Sequence, residues 1–445
     1  MFRRFVISGV LLWCALGASA RTRQHYGGTL RVEVQSDPWQ EPDGIARRLT
    51  MDGLTQIDSA GAVQPALSVR WESQNDDHRW QFWIRNNVQF HDGTPLTADA
   101  VAASLTQACR YGCVWSKVHA VGQSVVFTSD LPIPDLPAQL AQAKFLISHQ
   151  DSQGAQQGTG PFCIAGFPGG VMLFTANNDH WGGRPFVDTV EVWPRRSIRD
   201  QWMDMSVGRT DVVEVPAEML RQAPQQHLTV LASRPENLLL LQIASTGSLA
   251  NPQLRQAIAL AVDRSALYNV IFQKQGEITA SILPGALTGY AFLFSPERHL
   301  NRAHELRSGA TPPQLSLAVE GGNPAMQLSA ERIVLNLREA GFQVQMAPAG
   351  GKIQPDIVLR QIHLETTDPR AALDEMVEAT GQRVSINGSD MASIYRAEKE
   401  FLATYTVVPL LWLPQAYAIG DRVRDLRFAA DGSLLIADAA IEDAK

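Results

Sequence analysis

Residues 236–244, Glu-Asn-Leu-Leu-Leu-Leu-Gln-Ile-Ala, contain an apolar run of one strand's length that lacks the alternation of a half-exposed strand. Such a strand is buried on both faces, so the chain must supply a layer on each side of a sheet. The run reads as the point where a sheet core passes between domains. The downstream residues supply the layers. Asn251 is placed as an N-cap with Pro252 at the first helical position, and Leu254, Ile258, Ala261 and Val262 recur at helical spacing. A strand over 315–321, a helix over 324–341 ended by Gly341 and a strand over 342–348 come next. This alternation makes the second half of the chain α/β.

The first half reads differently. Leu30, Val32 and Val34 alternate along one early strand, and Trp80, Phe82 and Ile84 share a face of another, with a turn at Asn86-Asn87. The stretch VQFHDGTPLTADAVAASL, Val88 to Leu105, gathers a histidine, two aspartates and two threonines around a glycine. It resolves into scaffold: Asp92-Gly93 is a turn, Pro95 cannot donate to a ladder, and Thr97 caps a helix whose positive first turn holds Asp99.

The N-terminal segment has two arginines, an apolar run from Phe5 to Gly17 and Ala18-Ser19-Ala20, the pattern of a secretory signal cleaved near Ala20. Cys14 follows Trp13, which does not fit a lipid-anchor signal. A soluble exported protein is expected. Roughly 425 residues would remain, too many for one core. Loss of Arg3 and Arg4 would move the formal charge from −7 to −9. A mildly acidic chain without a basic cluster argues against nucleic acid as a partner. Of the cysteines beyond the signal, Cys109 and Cys113 stand four apart; on a continuous helix their Cα atoms would lie about 6 Å from each other, within disulfide range. The spacing leaves the bridge open, and C-x3-C without a second ligand pair is not a zinc site. No nucleophile elbow, His-Glu-x-x-His, phosphate loop or dinucleotide fingerprint occurs, so no enzyme, cofactor or metal is expected.

Five segments in order carry a resemblance: Gly27-Gly28-Thr29-Leu30; Val88 to Leu105; GTGPF with NNDHWGGRPFVDTVEV; NPQLRQAIALAVDRSAL; and VVPLLW. Together they resemble the family 5 extracellular solute-binding proteins, the peptide/nickel/dipeptide type that serves ABC importers. The resemblance implies an α/β fold, a two-lobed periplasmic binding protein (type II, class C-like) with an extra subdomain in the first lobe. Lobe I would comprise residues 21–56, 186–245 and 408–445, with the subdomain at 57–185 and lobe II at 246–407. It implies a peptide or other small solute captured between the lobes by hinge closure, an ABC permease as partner, a monomer, and a periplasmic location. The family's Gly-Tyr and Asn-rich piece is replaced by a shorter one, Arg360 to Asp390, so peptide specificity does not carry over. A sensor or chaperone uncoupled from transport, and an exported hydrolase, are the rival readings.

Cleft candidates are aromatic or charged residues in loops that face both lobes. Trp39 lies after the first strand; Glu236 and Asn237 precede the buried run and could meet an amine or amide. Arg360 and His363 are read as lying after the last strand of the second lobe, and Trp412 and Tyr417 flank the returning connection. A packed surface ring is the competing role for Trp39, and core packing for Trp412 and Tyr417.

Overall fold

The computed structural model describes residues 26–39, 44–109, 113–226, 228–307, 314–321, 323–347, 354–388 and 390–442. The expected signal segment, residues 1–20, lies outside them. The molecule is organised by a sheet of eleven strands. At one end run Phe162–Gly166, Met172–Ala176, Thr189–Trp193, Thr29–Glu33 and Val212–Glu214. At the other lie Ile357–His363, Gln314–Val319 and Gln343–Met346. Between them stand two long antiparallel strands, Thr229–Ile243 and Val407–Ile419, which belong to both ends.

The two crossing strands explain the apolar run. Leu239, Leu241 and Ile243 enter one buried cluster while Leu238 and Leu240 enter another. Successive side chains of a strand point to opposite faces, so the run feeds two cores at once. Complete burial of Leu238 through Leu241 contributes about 2 kcal/mol per side chain. The first part of the same strand, Thr229–Ala232, pairs with Ala416–Ile419 beside Val212–Glu214, at the other end of the sheet. Between the halves the pairing is irregular, with register shifts on both sides of Pro235, which stands opposite Pro414. A third proline, Pro409, also sits at a register shift. Proline cannot donate to a ladder, and all three are tolerated centrally because each occupies an irregularity.

A second sheet of four strands, Ser68–Gln74, Arg79–Ile84, Ser124–Thr128 and Lys117–Val121, lies apart from the first. The helix Ala98–Ala108 covers it, and Trp80, Phe82, Val101, Leu105 and Phe127 share its core. The Val88–Leu105 stretch is scaffold here: Asp92 Oδ1 accepts from Thr94 N at 2.9 Å, Gly93 has φ +83°, and Thr97 Oγ1 accepts from Ala100 N at 3.1 Å. The strands Phe162–Gly166 and Met172–Ala176 pair into the large sheet.

Cys109 and Cys113 form a disulfide with Cα atoms 5.3 Å apart. The helix ends at Ala108 with Cys109 as its C-cap. Cys163 is a half-buried thiol. No helix of the described residues is long and apolar enough to cross a membrane, and no group of three or more His, Cys, Asp or Glu among them is placed to hold a metal ion.

Candidate functional site

Two cavities meet where the crossing strands lose regular pairing. One, of about 1040 Å³, is walled on one side by Gln35, Ser36, Arg195, Arg196 and residues 214–218. Its other wall is Glu320, Gly321, Asn323, Met326 and Arg360 with Glu365, Glu375 and Glu378. The second, of about 800 Å³, lies between helix Ile45–Thr50, the Asp52–Ser59 segment, His180–Arg184 and the C-terminal residues 431–438. Ser36, Glu214, Asn237, His363 and Gln415 line both. Loops at the ends of strands supply most of these groups, the usual place for a ligand site in an open α/β sheet.

Asn237 and His363 are brought together. They face each other in strand register, and His363 Nδ1 lies 3.2 Å from Asn237 Oδ1. Burial holds the imidazole below its ordinary pKa despite the nearby carboxylates of Glu365 and Asp431. Tyr417 lines the smaller cavity, its hydroxyl accepting from Gln415 Nε2 at 2.9 Å. Arg360 lines the larger one and pairs with Glu320, Nε to Oε2 at 2.7 Å. Trp39 packs beside Met51, Ala143 and Leu146, and Trp412 is 1% exposed in the buried cluster that holds Leu238, Leu240 and Phe401; neither lines a cavity.

Glu236 is placed behind the cavity wall. Its carboxylate is buried, has no hydrogen-bond partner, and lies against Gly432 and His363. Burial first, and then the Asp431 charge, push its pKa up to about 8. The neutral acid is therefore the form held at neutral pH.

Side chains bridge the two walls. Arg48 Nη2 lies 3.4 Å from Glu365 Oε2 and 3.5 Å from Asp431 Oδ2, while Glu365 also accepts from the Ala143 amide. Gln142 Nε2 donates to Glu375 Oε2 at 2.9 Å, Lys144 Nζ meets Glu378 Oε2 at 2.6 Å, and Thr367 Oγ1 donates to Gly61 O at 2.7 Å. The segment from Arg360 to Asp390 thus builds one wall of the site. Sequence reasoning missed Glu365, Arg48 and Glu218. Glu218 follows a strand and Pro216, a loop signal of the kind that marks Trp39.

The remaining ionisable groups of the larger cavity are engaged. Arg195 pairs with Asp37 at 2.8 Å, and Arg196 with Glu33 at 3.3 Å and Asp204 at 2.5 Å. Glu214 accepts from Gln35 N at 2.8 Å and from Gln201 Nε2 at 3.4 Å. Near the smaller cavity, burial opposes ionisation of Asp52, yet His180, Trp181 and Thr159 together hold its pKa below the ordinary value. His180 Nε2 lies 3.4 Å from Asp52 Oδ2, and Trp181 Nε1 donates to the same oxygen at 2.8 Å.

Comparison with known proteins agrees with this architecture. The chain is 20% identical over 359 residues to the nickel-binding protein NikA of Staphylococcus aureus, covering 77% of this chain and 73% of that protein. It is 28% identical over 242 residues to the HTH-type transcriptional regulator SgrR of Pectobacterium atrosepticum, over 51% of this chain and 41% of the regulator. The periplasmic binding protein DppA of Helicobacter pylori, solved with the peptide STSA, superposes with a TM-score of 0.81 at 18% identity, covering 94% of this chain and 99% of that one. That likeness shows a two-lobed binding-protein fold. The profile described as "Bacterial extracellular solute-binding proteins, family 5 Middle" matches residues 62–383. The chain belongs to the family 5 bacterial extracellular solute-binding proteins.

Proposed function

We propose that this chain is the exported solute-binding component of an ABC importer, capturing a peptide-like or other small solute between its lobes and presenting it to a membrane permease. The observation that carries the reading is the cavity of about 1040 Å³ walled from both ends of the sheet, at the point where Pro235 opposes Pro414. Lobe I is assigned residues 21–56, 186–245 and 408–445, the subdomain 57–185, and lobe II 246–407. A gap in ladder pairing at the junction favours bending there, and closure then buries a solute against both walls. The protein works as a monomer in the periplasm after removal of its signal segment. Asn237, His363, Arg360 and Tyr417 are proposed to contact the solute. Glu236 shapes the wall from behind.

A thermal-shift screen of the mature protein against peptides, amino acids, opines, oligosaccharides and metal chelates tests the reading. A solute-specific rise of several degrees is expected, without consumption of the solute. Turnover of the bound compound would instead establish a hydrolase. Arg48 supplies a second test, because it reaches Glu365 and Asp431 from helix Ile45–Thr50. Arg48→Met is expected to increase the radius of gyration in small-angle scattering and to weaken solute binding about 10-fold or more. Unchanged scattering and affinity would show that this bridge does not hold the walls together.

The similarity to a transcriptional regulator over half of this chain favours one second reading, a solute sensor not coupled to transport. A growth defect of the deletion strain on the identified solute, rescued by an unrelated uptake route, would assign transport; its absence would favour sensing.

A further inference from the structure

The larger cavity is lined by one carboxylate with a buried oxygen that no protein group satisfies. Glu218 sits in the short turn Ala217–Met219, which follows strand Val212–Glu214 and Pro216. Its Oε2 is buried without a hydrogen-bond partner. Ala217 packs against the core cluster that contains Phe272, Met326 and Leu413, and these three also line the cavity. Glu218 lines the same cavity, so the carboxylate shares its walls with these apolar side chains. Burial alone pushes its pKa up.

The other ionisable side chains on the same walls each have a protein partner, whether the Arg360–Glu320 pair, the Lys144–Glu378 pair or the Arg48–Glu365 contact. Glu236 is the more deeply buried orphan, but it lies behind Gly432 and His363 and does not line either cavity. A buried carboxylate oxygen with no donor is costly to ionise, and an incoming cation offsets that cost while keeping the group ionised. An anionic solute meets no unpaired cation on these walls among the described residues.

We infer that the solute carries a cationic nitrogen, an ammonium or guanidinium on a hydrocarbon stem, that pairs with Glu218 while the stem lies against Phe272, Met326 and Leu413. The inference rests on the reading of this cavity as the solute site. Glu218 then acts as a specificity determinant, selecting basic over neutral and acidic members of whatever solute class is captured.

The test is calorimetric titration of the mature wild-type protein and Glu218→Gln, with melting of the unliganded proteins as a folding control. The probes are acetyl-Ala-Lys-Ala-amide, acetyl-Ala-norleucine-Ala-amide, Ala-norleucine-Ala-amide, L-arginine, maltose and succinate. They separate a side-chain cation, no charge, a terminal cation, a guanidinium, a neutral sugar and a dianion. At least one cationic probe is expected to bind wild type and to lose about 10-fold or more in affinity with Glu218→Gln. Its uncharged counterpart should bind both proteins equally weakly. Equal binding of a cationic probe by the two proteins, or binding of maltose or succinate alone, overturns the inference and leaves the solute-binding reading standing. Failure of every charge class to bind wild type overturns both.

Discussion

Replacing Glu236 by glutamine is expected to raise the melting temperature by several degrees at about pH 8.5 and to change it little at about pH 5. The carboxyl is buried without a partner and its pKa is pushed up from 4.5 to about 8. A raised pKa means that the folded state binds more protons than the unfolded chain between those two values. Stability contributed by the neutral acid is present below about pH 4.5 and is lost as pH rises through about pH 8. A tenfold change in an acid dissociation constant corresponds to about 1.4 kcal/mol, and relaxation of the surroundings reduces the total to something on the order of 3 kcal/mol. Glutamine keeps the shape and removes the titration, so its advantage grows with pH. Parallel melting profiles for the two proteins across this range would show that Glu236 does not retain its proton in the folded state.

Gly432→Ala is expected to destabilise the protein by about 2 to 4 kcal/mol, read from chemical denaturation. Gly432 has φ +80°, and a Cβ there would overlap Glu236 Oε2 and stand 2.7 Å from His363 Cε1. Both the backbone strain and the overlap oppose the methyl group. Shortening the neighbour tests the overlap separately: in the double variant Gly432→Ala with Glu236→Ala, part of the loss should be recovered. Strict additivity of the two substitutions would exclude a contact between these positions. Because the same turn carries Asp431, which meets Arg48 at 3.5 Å, the single variant should also disturb the smaller cavity.

The scaffold was largely legible because its signals are local. Thr97 and Asn251 accept backbone hydrogen bonds as helix caps, and the run Leu238–Leu241 is buried on both faces as its lack of alternation requires. The length of the crossing strands was less legible. Pro235, Pro409 and Pro414 cannot donate to a ladder, and only the pairing of the two strands shows that each falls at an irregularity. The site was legible in part for a related reason. Asn237 and His363 meet because two strands far apart in sequence share a register, which spacing along the chain does not encode. Trp39 and Trp412 were chosen for their aromatic character, yet the same rings pack inside the protein. Glu218 and Glu365 matter through what pairs with them or fails to, and partners drawn from opposite walls are invisible in a linear reading.

Pro235 facing Pro414 has a consequence for how the molecule comes apart. With no amide hydrogen on either residue, the lattice of backbone bonds is interrupted along one line across the long strands. The cores on either side draw on different parts of the same two strands, Tyr417 to one and Leu411 to the other. Each end of the sheet can then open as its own cooperative unit while the other stays folded. A solute gripped by both walls would merge the two units, so that its capture is felt as a change from stepwise to concerted unfolding.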